Sequence, residues 1–262
     1  MQESPFLRIP DIANKVCLIT GSSRGIGAAV ARGLGAIGAR VVVHYRTGKN
    51  EADEVARAIA RDGIDPLVLA GDIAEPGTVE ALIEQTVEHF GRLDILINNA
   101  GDVIERHVVA ETSDELFEQH VAINIRPVFA GCRRAVRQFR LQGGGGSIIN
   151  VSSVAARTGG GGGSSLYAGA KAFVATFTRA LAKEVAKDRI RVNAVSPGVI
   201  QTPMQDRTTP PEQIKAALAA IPLGRLGTAE ECVGTFLFLC SDELSGYLTG
   251  QILEVNGGII MP

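Results

Sequence analysis

The sequence predicts an α/β fold, a single doubly wound domain built on a seven-stranded parallel sheet. Short apolar runs that suit strands buried on both faces alternate with longer helical patterns along the whole chain. The first run passes without a spacer into a glycine-rich turn and then a helix, the order found at the first turn of a dinucleotide-binding unit. No composition shift or long linker divides the 262 residues, so one domain over 14–262 is expected after a leader of 1–13.

The elements follow in order. Val16–Thr20 is the first strand, and Gly21–Gly27 leads into a helix from Ile26 to Ile37. Arg40–Tyr45 is the second strand, Glu51–Asp62 a helix stopped by Gly63, and Pro66–Ala70 the third strand. Pro76 opens a helix to Phe90, since proline suits the first helical turn, and Asp94–Asn98 is the fourth strand. Ser113 caps a long helix reaching about Arg140, which Pro127 should kink or break. Ser147–Val151, Ile190–Val195 and Gln251–Val255 complete the strands. Leu166–Lys187, Glu212–Ala220 and Ala229–Cys240 complete the helices. Gly143–Gly146 reads as a flexible turn. The five glycines 159–163 read as a mobile loop, because glycine neither packs nor holds a fixed φ; between Ser153 and Tyr167 it is a pocket rim, with a neutral surface insertion as the alternative.

Composition excludes several classes. A formal charge of −2 leaves no nucleic-acid footprint. No apolar run reaches 18 residues, which argues against a spanning helix, and the N-terminus lacks the pattern of a secretory signal. Cys17, Cys132, Cys232 and Cys240 are scattered without metal or disulfide spacing and are expected to be buried thiols in a cytoplasmic protein. None of the four histidines has a ligand-like partner, so no metal is assigned.

Chemistry concentrates between Ser153 and Lys171. Tyr167 and Lys171 stand four apart on a helix, hence on one face, so a phenol and an ammonium lie side by side. A free tyrosine titrates near ~10, and a neighbouring cation should bring it towards the working range for proton transfer. The turn Gly21, Ser22, Ser23, Arg24, Gly25, Ile26, Gly27 can receive a pyrophosphate at a helix N-terminus, although its spacing departs from G-x-G-x-x-G.

These motifs, together with Asn98-Asn99-Ala100-Gly101, Asn124 in a long helix, a serine after strand five, Asp72-Ile73, Pro197-Gly198-Val199-Ile200-x-Thr202 and the closing Gly250…Val255-Asn256-Gly257-Gly258, occur in one order along the chain. In that order they resemble the short-chain dehydrogenase/reductase family, in its 250-residue, 3-oxoacyl-[acyl-carrier-protein] reductase-like form, and the resemblance implies a Rossmann-type domain. It implies that Tyr167 is the general acid, and that Lys171 tunes it and holds the nicotinamide ribose. Asn124 would fix a relay water, and Ser153 would donate to the substrate oxygen. Ser152 competes for that last role but reads as a strand-end hydroxyl. Fourteen positions separate Ser153 from Tyr167, one more than in many relatives.

The same resemblance implies that Asp72 and Ile73 meet the adenine and that Asn99, Ala100 and Gly101 line the adenosine side. Pro197, Gly198, Ile200 and Thr202 would lie at the carboxamide. An NAD-preferring fold places an acid at the end of strand two. Here that residue is Tyr45, followed by Arg46, and Arg24 lies in the turn, an arrangement similar to that of members preferring NADP(H). Residues 203–222 carry four prolines and should form a substrate lid, with Met204, Ile214, Leu218 and Ile221 as apolar wall. The helix from Leu166 is apolar on nearly every face, and relatives use it to build dimers and homotetramers. The expected activity is NADPH-dependent reduction of a ketone or aldehyde. A 3-oxoacyl-[acyl-carrier-protein] reductase and a non-catalytic dinucleotide-binding regulator stand as alternatives. Gly144 and Asp188 align where such reductases carry docking arginines, which counts against the carrier role, while Arg133, Arg134, Arg137 and Arg140 on a nearby helix count for it.

Overall fold

The computed structural model describes residues 9–60, 63 and 65–261. Seven strands form one all-parallel sheet in the order β3-β2-β1-β4-β5-β6-β7. They are β1 (Val16–Ile19), β2 (Arg40–Tyr45), β3 (Leu67–Ala70), β4 (Ile95–Asn98), β5 (Gly146–Val151), β6 (Ile190–Pro197) and β7 (Ile252–Val255). The order reverses between β1 and its neighbours β2 and β4, which opens a crevice at the carboxyl ends of these strands.

The helices are α1 (Gly25–Ala36), α2 (Lys49–Ala60), α3 (Thr78–Phe90), α4 (Asp114–Asn124), α5 (Arg126–Gln142) and α6 (Ala155–Thr158). They continue with α7 (Ser165–Val185), α8 (Pro203–Thr208), α9 (Pro211–Ala220), α10 (Glu230–Cys240) and α11 (Asp242–Ser245). Alternation along the strands divides the core between the two faces. Cys17 and Ile19 pack under α1, α2 and α10, while Leu18 packs with residues of α3, α5 and α7. Phe139 and Phe236 are the largest fully buried side chains, one on each face. Burying such a side chain stabilises the fold by about 1.5–3 kcal/mol.

Sequence signals placed most boundaries. Ser113 accepts from the Leu116 N–H at 3.2 Å as the cap of α4. The long helix divides at Ile125, next to Pro127, into α4 and α5. The third helix begins at Thr78, two residues after Pro76, because Gly77 takes a left-handed turn (φ 88) ahead of it. The expected end of the second helix at Asp62 lies outside the described residues, as do residues 1–8 of the leader. Among the described residues no helix is long and apolar enough to cross a membrane, and all four cysteines are buried with free thiols.

The glycine loop is tied at its carbonyls: the His107 N–H donates to Gly163 O at 3.0 Å, and Ser164 Oγ donates to Gly161 O at 2.6 Å. Glycine leaves the carbonyls uncovered by side chains, so other segments can fasten the loop from outside.

Candidate active site

A cleft of about 590 Å³ lies over the carboxyl ends of β1, β2, β4, β5 and β6. Its walls bring together Gly21, Ser23, Arg24, Gly25, Ile26 and Gly27 from the first turn with Tyr45, Arg46, Asp72 and Ile73 from the next two strand ends. Asn99, Ala100 and Gly101 come from the end of β4, and Ser153, Tyr167 and Lys171 from β5 and α7. Pro197, Gly198, Ile200 and Thr202 follow β6. Two expected site residues do not line it. Ser22 is fully buried, donating to Ile19 O (2.8 Å) and accepting from the His44 N–H (2.9 Å). Asn124 is fully buried at the end of α4, accepting from the Asp102 N–H (3.0 Å) and donating to Asp102 O (2.9 Å). Of the four apolar lid residues, Met204 reaches the cleft; Ile221 is buried elsewhere and Leu218 is exposed.

The first turn is shaped to receive a phosphate. Gly21 has φ 65, and a Cβ there would meet Ala100 at 3.0 Å. A Cβ on Gly27 would lie 2.4 Å from Gly21 O, so α1 starts against the turn only because no side chain intervenes. The residue preceding α1, Arg24, makes no side-chain cap bond, which leaves the first N–H groups of the helix facing the cleft. The turn is held from behind by Thr20, whose Oγ1 accepts from the N–H groups of Asn99 (3.0 Å) and Ala100 (3.1 Å). Asn99 Nδ2 returns bonds to Thr20 O (2.8 Å) and Gly21 O (3.0 Å). These main-chain features fit a dinucleotide pyrophosphate.

His44 is a site residue that sequence reasoning passed over. Its Nδ1 accepts from the Gly21 N–H at 2.8 Å and its Nε2 lies 3.1 Å from Gly71 O, so the ring bridges the first turn to the end of β3. Burial lowers its pKa, consistent with the neutral tautomer this pair of bonds needs. A lone polar residue inside an apolar strand was the available signal.

At the other end, Lys171 is 3% exposed and its Nζ donates to Val151 O at 2.9 Å. Burial lowers its pKa to about 8. The ammonium lies over the Tyr167 ring, 5.6 Å from its centroid. Ser152 Oγ donates to Lys171 O at 3.0 Å, the structural part expected of it. Ser153 faces the cleft and accepts from the Ala155 N–H at 3.1 Å.

The Tyr167 phenol behaves differently from expectation. Removal from water pushes its pKa up to about 12, a bond with Ser153 opposes the rise, Asp102 adds to it and Arg106 opposes it. Burial outweighs these neighbours, and Lys171 sits over the ring rather than against the hydroxyl, so the phenol is protonated at neutral pH.

Arg24 and Arg46 both line the cleft and are about half exposed. Each already faces a carboxylate, Arg24 on Glu51 at 3.4 Å and Arg46 on Asp72 at 3.7 Å. Exposed pairs of this kind contribute ~0–1 kcal/mol, so a phosphate can displace the carboxylate at small cost. Among the described residues no group of three or more His, Cys, Asp or Glu could hold a metal ion.

Comparison with known proteins agrees with this geometry. A family profile described as enoyl-(acyl carrier protein) reductase matches residues 21–260. The chain is 38% identical over 247 residues to a 3-oxoacyl-[acyl-carrier-protein] reductase of Synechocystis sp., covering 94% of this chain and 97% of that protein. The solved structure of the NADH-dependent reductase A1-R′ complexed with NAD superposes with a TM-score of 0.86 at 33% identity, covering 97% of this chain and 100% of the other. A short-chain dehydrogenase from Burkholderia cenocepacia in complex with NADP does so with a TM-score of 0.88 at 30% identity, covering 95% and 99%. A profile match over nearly the whole chain, with relatives and solved structures at 30% identity or more covered nearly end to end, establishes that the chain belongs to the short-chain dehydrogenase/reductase family of oxidoreductases.

Proposed function

We propose that this protein is an NADPH-dependent carbonyl reductase that converts a ketone or aldehyde to an alcohol, reversibly, with Tyr167 as general acid and base. The observation that carries this reading is the meeting of Ser153, Tyr167 and Lys171 in the same cleft as the phosphate-receiving turn. When bound, the dinucleotide supplies or accepts the hydride. The chain's own residues do the rest. Tyr167, protonated at neutral pH, holds the proton that the carbonyl oxygen needs. Ser153 donates to the same oxygen, where negative charge develops. Lys171, a buried cation next to the ring, compensates the phenolate left when the proton moves and binds the nicotinamide ribose. Asn124 closes the far side of Lys171, where a water would carry the replacement proton.

On the cofactor side, the N–H groups of the first turn and of α1 would hold the pyrophosphate. Asp72 and Ile73 would meet the adenine, with Asn99, Ala100 and Gly101 along the adenosine. Thr202 caps α8 by accepting from the Gln205 N–H at 3.3 Å, which leaves its O–H free to donate to the carboxamide beside Ile200. Arg24 and Arg46 favour a 2′-phosphate, and Tyr45 in place of an acid removes the usual partner of a free 2′-hydroxyl. Residues 14–262 act as one NADP-binding unit with 203–222 as its lid.

The 3-oxoacyl-carrier alternative draws support from the names of relatives. On α5, Arg133 pairs with Glu80 at 2.8 Å, Arg134 with Glu84 at 3.3 Å and Arg140 with Asp188 at 2.7 Å, which tempers the positive charge offered to an acidic carrier, while Arg126 and Arg137 stay exposed on the same helix. A non-catalytic regulator has no need of Ser153, Tyr167 and Lys171 together. For assembly, Phe117, Phe129 and Phe173 are 48%, 43% and 37% exposed on α4, α5 and α7. Phe177 joins Phe129 and Phe173 at ring separations of 6.2 and 5.4 Å. An aromatic patch spread over three helices favours a homotetramer, or a dimer at least.

Four outcomes test these readings. Tyr167→Phe should bind NADPH as before and lose carbonyl reduction by about 10²-fold or more; a variant keeping over about a tenth of wild-type kcat would remove Tyr167 from the acid's role. Lys171→Met should melt higher than wild type at pH 7, because a buried cation is lost. The folded-state pKa of Lys171 is depressed from 10.5 to about 8, so wild type regains stability as pH rises through that window. The difference between the two proteins should therefore shrink towards pH 10, and a difference that grows would show the ammonium is not held at this cost. NADPH should exceed NADH in kcat/KM by about two orders of magnitude, and Arg46→Ala should narrow the gap through KM for NADPH; steady-state titrations giving equal values for both cofactors would make the arginines mere surface charges. Light scattering at micromolar concentration should give the mass of a tetramer or dimer, and a monomer mass would overturn the assembly.

A further inference from the structure

On the substrate side of Tyr167, two arginines cross in opposite directions between the loop after β4 (residues 102–107) and the lid. Arg207, on α8, reaches down to the loop. Its Nη2 donates to both oxygens of Asp102 at 2.6 and 2.7 Å, and its Nη1 donates to Ile104 O at 3.4 Å. Arg106, on the loop, reaches up to the lid. Its Nε donates to Thr208 O at 2.6 Å and its Nη2 to Thr209 Oγ1 at 3.1 Å. The remaining nitrogen, Nη1, donates to Gly162 O at 3.3 Å, so one guanidinium joins three chain segments. The planar fork of arginine suits this task, since its donors leave in fixed directions.

Two further features belong to the same arrangement. Ile104, one of the two loop residues that Arg207 holds, has φ 60, a left-handed conformation that is costly for a β-branched residue and persists only where the surroundings impose it. The Asp102 carboxylate accepts from the Ile104 N–H at 3.2 Å, so the residue gripped by Arg207 also holds the strained one. The glycine loop then approaches where no side chain fits. A Cβ on Gly163 would lie 3.0 Å from the His107 nitrogen and 3.1 Å from Arg106 Cβ, and one on Gly161 would lie 2.8 Å from Gln213 Oε1 of α9. Gln213 Nε2 donates to Gly162 O at 3.5 Å, while its Oε1 is buried without a partner. Arg106 Nη1 lies within 3.4 Å of the same point beside Gly161, so an unused acceptor stands at the edge of the network.

We propose that Arg106 and Arg207 form a reciprocal clasp that fixes the lid and the glycine loop above Tyr167, making both arginines positioning residues for the carbonyl substrate and not for the dinucleotide. This rests on the reading of Tyr167 as the proton donor. On the cofactor side, Arg24, Arg46 and the first turn have other partners, and the network meets that side only at its edges, where Thr202 caps α8 and Asn124 bonds the main chain of Asp102. The clasp is also asymmetric in charge. Arg207 neutralises Asp102, whereas Arg106 bonds only to neutral oxygens, and among the described residues no carboxylate pairs with it. Its positive charge therefore remains on the Tyr167 side of the lid, where it opposes the effect of burial on the phenol.

The test combines steady-state kinetics with hydrogen exchange followed by mass spectrometry. Arg106→Met and Arg207→Met should each raise KM for a reduced ketone or aldehyde by about tenfold or more, with Kd for NADPH within about twofold of wild type. The double variant should cost little more than the worse single one, because both act through one device. Arg106→Lys should recover part of the loss, as an ammonium keeps the charge without the fork. Thr209→Val, which removes one acceptor at the lid surface, should move KM in the same direction by less and guards against a folding defect. Amides of 203–220 and 159–164 should exchange faster together, with α7 and the sheet unchanged. An unaltered KM, a parallel rise in Kd for NADPH, or faster exchange confined to one segment would overturn the clasp. The exchange result does not depend on the chemistry, so an active Tyr167→Phe enzyme would undo the functional reading and leave the clasp to be judged by exchange.

Discussion

An ammonium taken out of water must keep its hydrogen bonds or give up its charge, and the half of the cleft proposed for catalysis is arranged around that constraint at Lys171. Leaving such a group unpaired in an apolar interior costs several kcal/mol, far more than a marginally stable domain tolerates in one place. The carbonyl of Val151 meets part of the demand, and that carbonyl is available because β5 ends there. Two further polar bonds lock α7 against the same strand: Ser152 Oγ to Lys171 O, and Asn150 Nδ2 to Thr178 Oγ1 at 2.9 Å. Rotation and height of the helix are thereby set, and Tyr167 is delivered one turn away at the cleft wall. Gly101 answers the same crowding, since a Cβ there would lie 2.9 Å from Asn124 Oδ1 and 3.0 Å from Lys171 Nζ.

The two halves of the cleft are built on different principles. The half proposed for the cofactor consists of strand ends and main-chain groups tied to one another through Thr20, Asn99 and His44. Such a surface is rigid because every support is part of the sheet. The half proposed for the substrate consists of loops and two short helices joined by arginine forks, with few buried apolar anchors. Elements of this kind open at low free energy. A scaffold that keeps the dinucleotide fixed while the substrate wall is separately fastened lets substrate choice vary with little consequence for cofactor geometry.

Charge in the cleft is mostly spoken for. Arg24, Arg46 and Arg207 each face a carboxylate, so an incoming anion exchanges partners rather than filling a vacant positive site. Selectivity between cofactors then depends on the difference between phosphate and carboxylate as partners, a smaller quantity than the bare attraction. Glu51 and Asp72 temper the pull of the two arginines while keeping their side chains oriented towards the cleft.

The fold was legible from periodicity because a parallel sheet covered on both faces favours largely apolar strands, and such short runs recur between helical patterns along the whole chain. The site was legible where one local element carries the chemistry: the glycine turn joined to β1 and α1, and Tyr167 with Lys171 on one helical face. Caps and breaks at Ser113 and Pro127 belong to the same class, since their causes act within a few residues. What only the tertiary structure decided involves partners far apart in sequence. His44 supports Gly21, Arg106 meets Thr208, and Arg207 meets Asp102 across separations of 23, 102 and 105 residues. The balance at Tyr167 was decided there too, because the walls that half-bury it take enough water from the phenol to outweigh the neighbouring charges that the sequence could list. Spacing along a chain reports which groups share a face; it carries no information on how much water the assembled walls remove, and that removal governs the protonation of both Tyr167 and Lys171.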